Sequence, residues 1–349
     1  MNRLIIIGNG FDLAHGLKTS YCDFIHDYLL TNFRNAKNTR HYEDALIKVE
    51  LAHGYLGTRL DFNENSPLSD FTFCIKDTSL GYKLIIKSKF LRQLLHKAGL
   101  ENWVDIENEY YTELKKCLEA GSIDELNRDL GLIIQELSKY LTKLPNAPFI
   151  RDFKEILKSS FDRKDVVLSC LDFTNSVKQI QILNFNYTST VEQYFGEFPV
   201  GNQKIDINYI HGKLNDSKNS LIFGFGDELD DYYKKLEGDK RKGFLHYIKS
   251  FWYAKTSNYH NLIRFIDSGE FQVFIWGHSC GLSDRTMLNM IFEHDNCLSI
   301  KIFYHGTKEK NNHTELTQEI SRHFHNKGLM RKKIVPEDKC EPMPQANGV

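Results

Sequence analysis

The 349-residue sequence is informative first through what it lacks. The longest early apolar run, at residues 4–7, is far shorter than the roughly 20 residues of a membrane span or the about 7–15 residues of a signal-peptide core. We therefore expect a cytoplasmic protein with no membrane contact. The seven cysteines form an odd set without a C-x-x-C pair, which argues against a disulfide framework and a structural zinc site. No metal site is predicted.

A charge excess of one sign is also missing. Forty-five basic residues face 46 acidic ones, so the chain has no overall field that would attract nucleic acid or anionic lipid. The basic run at residues 240–242 lies beside the acidic stretch 227–231, and we interpret it as a solvated helix surface. The aromatic triplet at 251–253 is interpreted as core or protein interface. Apolar and charged contents of 41% and 26% are those of a globular protein.

The pattern of strands and helices predicts the fold class. Strand-like runs alternate with helical patterns at residues 189–195, 230–268, 285–294 and 313–325. The strand-like runs themselves lie at residues 4–7, 165–168, 180–185, 207–211, 221–225, 271–276 and 298–304. This alternation predicts an α/β protein with a doubly wound, mostly parallel sheet and right-handed crossovers.

A long helical segment interrupts this pattern. Apolar residues recur at three- and four-residue steps within residues 21–161, so we predict a large helical insertion between two parts of a core, residues 1–20 and 162–330. We expect the insertion to cap the carboxyl edge of the sheet, where such folds bind ligands. Residues 336–349 contain three of the seven prolines and no apolar periodicity, which predicts a disordered tail.

Two glycines follow the first strand directly. Gly8 and Gly10 have the spacing of a phosphate-binding turn, in which missing side chains let backbone N–H groups approach a pyrophosphate. The usual third glycine is absent, because Leu13 stands there and the next glycine is Gly16. A plain tight turn at the end of a strand explains the pair equally well.

Four segments taken together resemble the sirtuin-like NAD-binding domains. Residues 8–17 match the G-x-G-x5-G spacing of the first nucleotide-binding loop; residues 184–188, 210–212 and 277–279 are similar to the T-x-N-Y-D, L-H-G and G-x-S segments that follow later strands. The resemblance implies a Rossmann-like, sirtuin-like core with NAD as substrate or ligand. The residues it assigns to cofactor binding are Gly8, Asn9, Gly10, Phe11, Asp12, Gly16, Gly277, Ser279 and Asp284.

A narrower resemblance covers essentially the whole chain short of the tail. Residues 9–21, with the W-x-D-x-E pattern at 103–107, resemble the bacteriophage abortive-infection AbiH family. This implies antiphage defence in which infected cells stop growing or die. It leaves open a phage-derived or host protein as trigger, and a homo-oligomer. Asp105 and Glu107 lie two apart on a helix and do not share a face, so we interpret them as solvated charges, although Glu107 could reach into the cleft.

Departures from the sirtuin pattern limit what carries over. Asp12 replaces a serine, Lys18 a proline and Tyr21 an arginine, and the four-cysteine zinc module is missing, which disfavours protein deacetylation. NAD binding or hydrolysis to nicotinamide and ADP-ribose remains. Asp12 would repel a pyrophosphate if it pointed inwards, so we expect it to cap the following helix or contact a ribose hydroxyl.

Two residues are the predicted catalytic groups. Asn186 would hold a water molecule and a ribose hydroxyl, and His211, which titrates near neutral pH, would take the proton. The alternative interpretations are structural: Asn186 ends a strand through its side-chain hydrogen bonds, and His211 belongs to a turn.

Two other functions compete with NAD hydrolysis. One is a nucleotide-binding sensor without catalysis, whose helical insertion binds a phage or host protein. The other is a serine hydrolase, since residues 277–281 match G-x-S-x-G after a strand, with Ser279 as nucleophile. Its acid would be Asp284 or Asp295 and its base His305, His313 or His323. Only one strand pattern follows Ser279, which leaves little room for them. Otherwise Ser283 or Asp284 would cap the next helix.

Overall fold

The computed structural model describes residues 1–54, 57–101, 105–167, 176–195 and 204–346. Its strands are β1 (Asn2–Ile7), β2 (His41–Glu43), β3 (Ile47–Leu51), β4 (Tyr82–Ile86), β5 (Gln179–Asn184), β6 (Lys204–Tyr209), β7 (Phe271–Trp276), β8 (Cys297–Tyr304) and β9 (Glu341–Pro342). Its helices are α1 (Asn9–Ala14), α2 (Tyr21–Thr39), α3 (Leu68–Phe73), α4 (Lys89–Glu101), α5 (Ile106–Ala120), α6 (Asp124–Thr142), α7 (Arg151–Lys158), α8 (Asp231–Gly238), α9 (Lys249–Tyr253), α10 (Asn258–Asp267), α11 (Arg285–Glu293), α12 (His313–Ser321) and α13 (Lys327–Lys333).

The chain forms two compact units. The first contains residues 1–17, 145–235 and 248–349, and the second contains residues 18–144 and 236–247. The boundaries differ from the predicted ones at three places: residues 145–161 group with the sheet, and residues 18–20 and 236–247 group with the helical unit. No helix in the described ranges is both long enough and apolar enough to cross a bilayer.

The first unit is built on a six-stranded sheet in the order β6-β5-β1-β7-β8-β9. Every neighbouring pair in it is parallel, which confirms the predicted α/β class with a mostly parallel sheet. The apolar residues of β1 are fully buried because both faces of this central strand are covered. Leu4 and Ile6 pack with α10, α11 and α12, whereas Ile5 and Ile7 pack with Phe11 of α1 and Phe153 of α7.

Strand register brings several loops to one edge. Ile7 pairs with Asn184 on one side and with Trp276 on the other, and Asn184 pairs in turn with Tyr209. The residues that follow these four strands therefore meet at the carboxyl edge of the sheet. The chain order reverses beside β1, because β5 and β6 extend the sheet on one side and β7, β8 and β9 on the other.

Three predicted elements differ from the structure. Asp165 is the last residue of a 3-10 turn, and residues 166–167 do not belong to a strand. Leu168, the end of the predicted strand, lies outside the described residues. The segment 221–225 makes one bridge, from Phe225 to Ile248, because Gly224 interrupts the extended backbone with a φ of 142°. A 3-10 turn at Thr190–Tyr194 replaces the helix predicted at 189–195.

The prediction of a disordered tail is wrong for residues 336–346, which are ordered. Residues 337–339 form a 3-10 turn, and β9 pairs with the end of β8 as an edge strand, a position that tolerates Pro342. The amide of Met343 donates to the Tyr304 carbonyl at 2.8 Å, and the side chains of Cys340 and Met343 are buried. Burial of these two side chains and the pairing of β9 order the segment, although its sequence has no apolar periodicity. Residues 347–349 lie outside the described part.

The second unit contains a small antiparallel sheet besides its helices, in the order β2-β3-β4, which the sequence did not predict. Four aromatic rings form much of its core: Phe33, Phe62, Phe71 and Tyr82. Asp105 caps helix α5 by accepting from the amides of residues 107 and 108. Glu107 is buried, so its interpretation as a solvated charge is wrong, and Trp103 lies outside the described residues.

Candidate functional site

The loops after β1 and β7 are packed directly against each other through glycines. The amide of Gly10 donates to the Gly277 carbonyl at 2.8 Å. A Cβ built on Gly277, which has a φ of +66°, would lie 2.2 Å from the Phe11 nitrogen, and one on Gly8 would lie 2.5 Å from the His278 Cα. These glycines are therefore required for the close approach of the two loops. The predicted contact of Gly10 with a pyrophosphate stays a prediction.

The structure also shows where three more of the predicted cofactor-binding residues lie, all in or just after helix α1. Phe11 is fully buried and packs against the rings of Phe153 and Trp276. Gly16 ends helix α1 in a left-handed conformation, with its amide donating to the Leu13 carbonyl, and it has open space around it. Asn9 is exposed at the start of α1.

Asp12 points into the protein. Its side chain is 1% exposed, and its Oδ2 lies 2.5 Å from the Thr188 hydroxyl, which donates to it from the loop after β5. Burial raises the pKa of Asp12 to about 6, although hydrogen bonds from Thr188, Thr190 and Asn186 favour the charged form. The N-terminus of α1 has no side-chain cap, so the helix-capping role expected for Asp12 is wrong.

Asn186 joins the loop after β5 to the loop after β1. Its side-chain amide donates to the Gly8 carbonyl at 3.0 Å, and its backbone amide donates to Oδ1 of Asn184 at 3.0 Å. The residue is 9% exposed. Asn186 therefore does end a strand through its hydrogen bonds, as the structural interpretation holds, and it does so at the predicted ligand edge.

His211 lies two residues beyond the last registered residue of β6. Its Nε2 is 3.2 Å from Oδ1 of Asp284 and 3.1 Å from the Tyr253 hydroxyl. Burial and then the charge of Lys249 lower the pKa of His211, whereas Asp284 and a hydrogen bond to the Phe185 backbone oppose that shift. A neutral ring that donates from Nδ1 to the Phe185 carbonyl would leave Nε2 able to accept a proton.

Asp284 is at the centre of a buried ionic group that we call the Asp284 cluster, made of Lys249, Asp284, His211 and His278. The Lys249 side chain is fully buried, and its Nζ lies 2.9 Å from Oδ1 of Asp284. Burial alone would raise the pKa of Asp284, but Lys249 and His211 outweigh it and hold the pKa well below its usual range. Helix α11 has no side-chain cap from Asp284, so that predicted role is wrong.

The fourth member of the cluster is a buried histidine, His278. His278 accepts from the Cys280 amide at Nδ1 over 3.0 Å, and its Nε2 lies 3.8 Å from Oδ2 of Asp284. Burial lowers the pKa of His278 to about 4. Lys249 was missed from the sequence because it lies in a long helical pattern, where a lysine is normally solvated.

The serine hydrolase arrangement is not assembled. Ser279 is exposed, Asp295 is exposed, and Asp284 is engaged by Lys249. His323 bonds through Nε2 to the Cys280 carbonyl at 2.7 Å. Within the described residues, Ser279 has no hydrogen bond to a candidate base, whether His305, His313 or His323.

The site is thus a row of loops at one sheet edge, with two buried carboxylates among them. Across the described ranges, no group of three His, Cys, Asp or Glu side chains is arranged to hold a metal ion.

A search of curated proteins found no match. A protein-family model, described as bacteriophage abortive infection AbiH, matches residues 4–305 and so includes every loop of the site. On that match, the chain belongs to the AbiH family, whose description indicates a role in abortive infection by bacteriophage.

Proposed function

We propose that this AbiH protein binds NAD at the carboxyl edge of its parallel sheet and hydrolyses it to nicotinamide and ADP-ribose during phage infection. The observation that carries the proposal is the placement of Asn186 and His211. Each lies two residues beyond the registered pair Asn184 and Tyr209, on adjacent strands of the edge that also holds the glycine loops.

The topology supports a dinucleotide ligand. Numbered along the chain, the six strands of the sheet follow the order 3-2-1-4-5-6, which is that of Rossmann-like dinucleotide-binding sheets. In such sheets, ligands bind outside the carboxyl ends of the strands, where the strand order reverses. Here that point lies between β1 and β7, at the contact of Gly10 with Gly277.

The chemistry follows from the neighbours of His211. Attack of water on the anomeric carbon forms a C–O bond while the glycosidic C–N bond breaks, and nicotinamide leaves with the bonding electrons. Asn186 would orient the water and a ribose hydroxyl, and His211 would accept the proton that the water loses. Lys249 favours a neutral, receptive His211 before reaction, and Asp284, 3.2 Å away, would stabilise the imidazolium that forms.

A second function is favoured by the burial of these two residues. Asn186 is 9% exposed and His211 is 5% exposed, which suits a protein that binds a nucleotide without cleaving it and relays the presence of a phage or host protein. The two functions differ in one result, because a sensor binds NAD and leaves it intact.

The test uses purified protein with and without lysate of phage-infected cells as the source of a trigger. We expect calorimetric NAD binding and release of nicotinamide by the wild type, and at least about a 100-fold loss of release in Asn186→Ala, since transition-state groups contribute about 3 kcal/mol. Asn208→Ala is the matched control. Asn208 is also buried and donates to the Asn258 carbonyl at 2.7 Å, but it lies within β6, before the carboxyl edge. Binding without release would favour the sensor, and absence of binding would contradict both functions.

A further inference from the structure

The short helix α9 contributes Lys249 to the Asp284 cluster and places Tyr253 beside it. Lys249 and Tyr253 are four residues apart, so they lie on the same face of the helix. Lys249 contacts Asp284 at 2.9 Å, and the Tyr253 hydroxyl lies 3.1 Å from Nε2 of His211. One turn of helix therefore places an ammonium group and a hydroxyl beside the same carboxylate and imidazole pair.

Tyr253 differs from the other partners of His211 in its exposure. Lys249 is fully buried and Asp284 is 7% exposed, whereas Tyr253 is half-buried. The ring of Tyr253 is stacked on that of His211, with an interplanar angle of 11° and centroids 6.2 Å apart. Tyr259 stacks on Tyr253 in turn, at 5.4 Å and 23°, which fixes the ring that carries the hydroxyl.

We infer that Tyr253 is the proton-transfer residue that connects the buried His211 to solvent or to a bound water molecule. The inference rests on the proposed function for its role in turnover. In the step, water gives a proton to the Tyr253 oxygen while the Tyr253 hydroxyl proton moves to Nε2 of His211. The remaining hydroxide oxygen forms the bond to the anomeric carbon while the glycosidic C–N bond breaks and nicotinamide leaves with the bonding electrons. Tyr253 ends the step neutral, and His211 ends it protonated.

The charges around His211 fit this direction of transfer. The titratable groups that face it are Lys249 from α9, Asp284 from the turn before α11, and His278 from the loop after β7, which shares the Asp284 carboxylate. Lys249 opposes protonation at rest, and Asp284 accepts a hydrogen bond once Nε2 carries a proton. The hydroxyl of Tyr253 already lies at the nitrogen that changes state.

The test compares Tyr253→Phe with Tyr259→Phe. Both changes remove one hydroxyl and keep the stacked rings, but the Tyr259 hydroxyl contacts the Met290 sulfur at 3.5 Å rather than His211. In substrate-free protein, we expect proton exchange between Nε2 of His211 and solvent, measured by NMR, to slow by at least about 10-fold in Tyr253→Phe and to stay unchanged in Tyr259→Phe.

A second readout is NAD turnover. Tyr253→Phe should lower kcat by about 100-fold with KM unchanged, whereas Tyr259→Phe should keep both. If the wild type does not cleave NAD, the proposed function fails, and the exchange measurement still decides whether Tyr253 connects His211 to solvent. An unchanged exchange rate, or wild-type kcat in Tyr253→Phe, would overturn the inference.

Discussion

Asp12 and Asp284 are two buried carboxylates at one edge of the same sheet, and their neighbours give them opposite acid–base properties. Asp12 is 1% exposed and accepts from neutral hydroxyl and amide groups, and burial raises its pKa to about 6. Asp284 is 7% exposed and lies 2.9 Å from the ammonium of Lys249, which with His211 holds its pKa well below the usual range.

The difference shows how one edge can hold two kinds of acidic group. A buried carboxylate with a buried cation stays charged at every physiological pH, so Asp284 is suited to orient histidines and stabilise a positive charge. A buried carboxylate without a cation changes its charge near neutral pH, so Asp12 can respond to a ligand that adds or removes charge nearby. The contact of Gly10 with Gly277 joins the loop after β1, which leads to Asp12, to the loop after β7, which leads to Asp284.

The largest expected effect comes from removing the cation. Lys249→Met removes the ammonium that lies 2.9 Å from the buried Asp284 carboxylate and leaves only histidines beside it, so we expect a loss of about 3–5 kcal/mol in the free energy of unfolding, measured by denaturant titration. The double variant Lys249→Met with Asp284→Asn removes both charges and should recover more than about 1.5 kcal/mol relative to the sum of the single losses. Simple additivity would show that the two groups are not an ion pair in solution.

A pH series distinguishes Asp12 from Asp284. The pKa of Asp12 is about 6 in the folded state against 3.8 for an ordinary aspartate, so the folded protein binds its proton more tightly. That stabilisation is complete below pH 4 and is lost as pH rises through 6, a change of about 3 kcal/mol. Asp284 contributes no change in this window, because its pKa lies below it.

The measurement is the unfolding free energy at several pH values for the wild type and Asp12→Asn. Subtracting the two curves removes the histidines, whose lowered pKa values give a slope of the opposite sign. Thr188→Val is the control that sharpens the result: it removes the hydrogen bond that favours the Asp12 carboxylate, so the transition should move to higher pH. A flat difference curve between pH 4 and 7 would contradict the assignment.

A smaller effect is expected where the two neighbourhoods meet. Gly277→Ala places a Cβ 2.2 Å from a backbone nitrogen at a φ of +66°, so we expect a loss of about 2–3 kcal/mol in the unfolding free energy. Gly16→Ala is the matched control, because Gly16 has a φ of +77° but open space, and should cost about 1 kcal/mol. Equal losses would mean that the loops after β1 and β7 are not in close contact.

The sheet was predictable because its signal is local. Continuous apolar runs such as residues 4–7 and 271–276 predict buried parallel strands, and strand ends place Gly8, Asn186 and His211 at one edge without any knowledge of packing. The family was likewise predictable from short motifs, and the match over residues 4–305 confirms it. The bond from Asn186 to the Gly8 carbonyl spans 178 residues and required the structure.

The remaining features depend on long-range pairing. Lys249 and Asp284 are 35 residues apart, and neither their residue types nor the apolar periodicity around them predicts a buried ion pair. The direction of Asp12 depends on Thr188, and β9 has two residues, too few for a pattern. Tyr253 was interpreted as a packing aromatic, which is right for its ring and incomplete for its hydroxyl.

Cleavage of NAD at this sheet edge after phage infection would change the nucleotide content of the cell. The decisive measurement is of NAD and nicotinamide in phage-challenged cells that express wild type, Asn186→Ala or His211→Ala. We predict that NAD falls and nicotinamide rises with the wild type, and that both stay at their starting levels with either variant at equal protein abundance. Growth arrest by the wild type with unchanged NAD, or NAD loss that persists in both variants, would contradict the account.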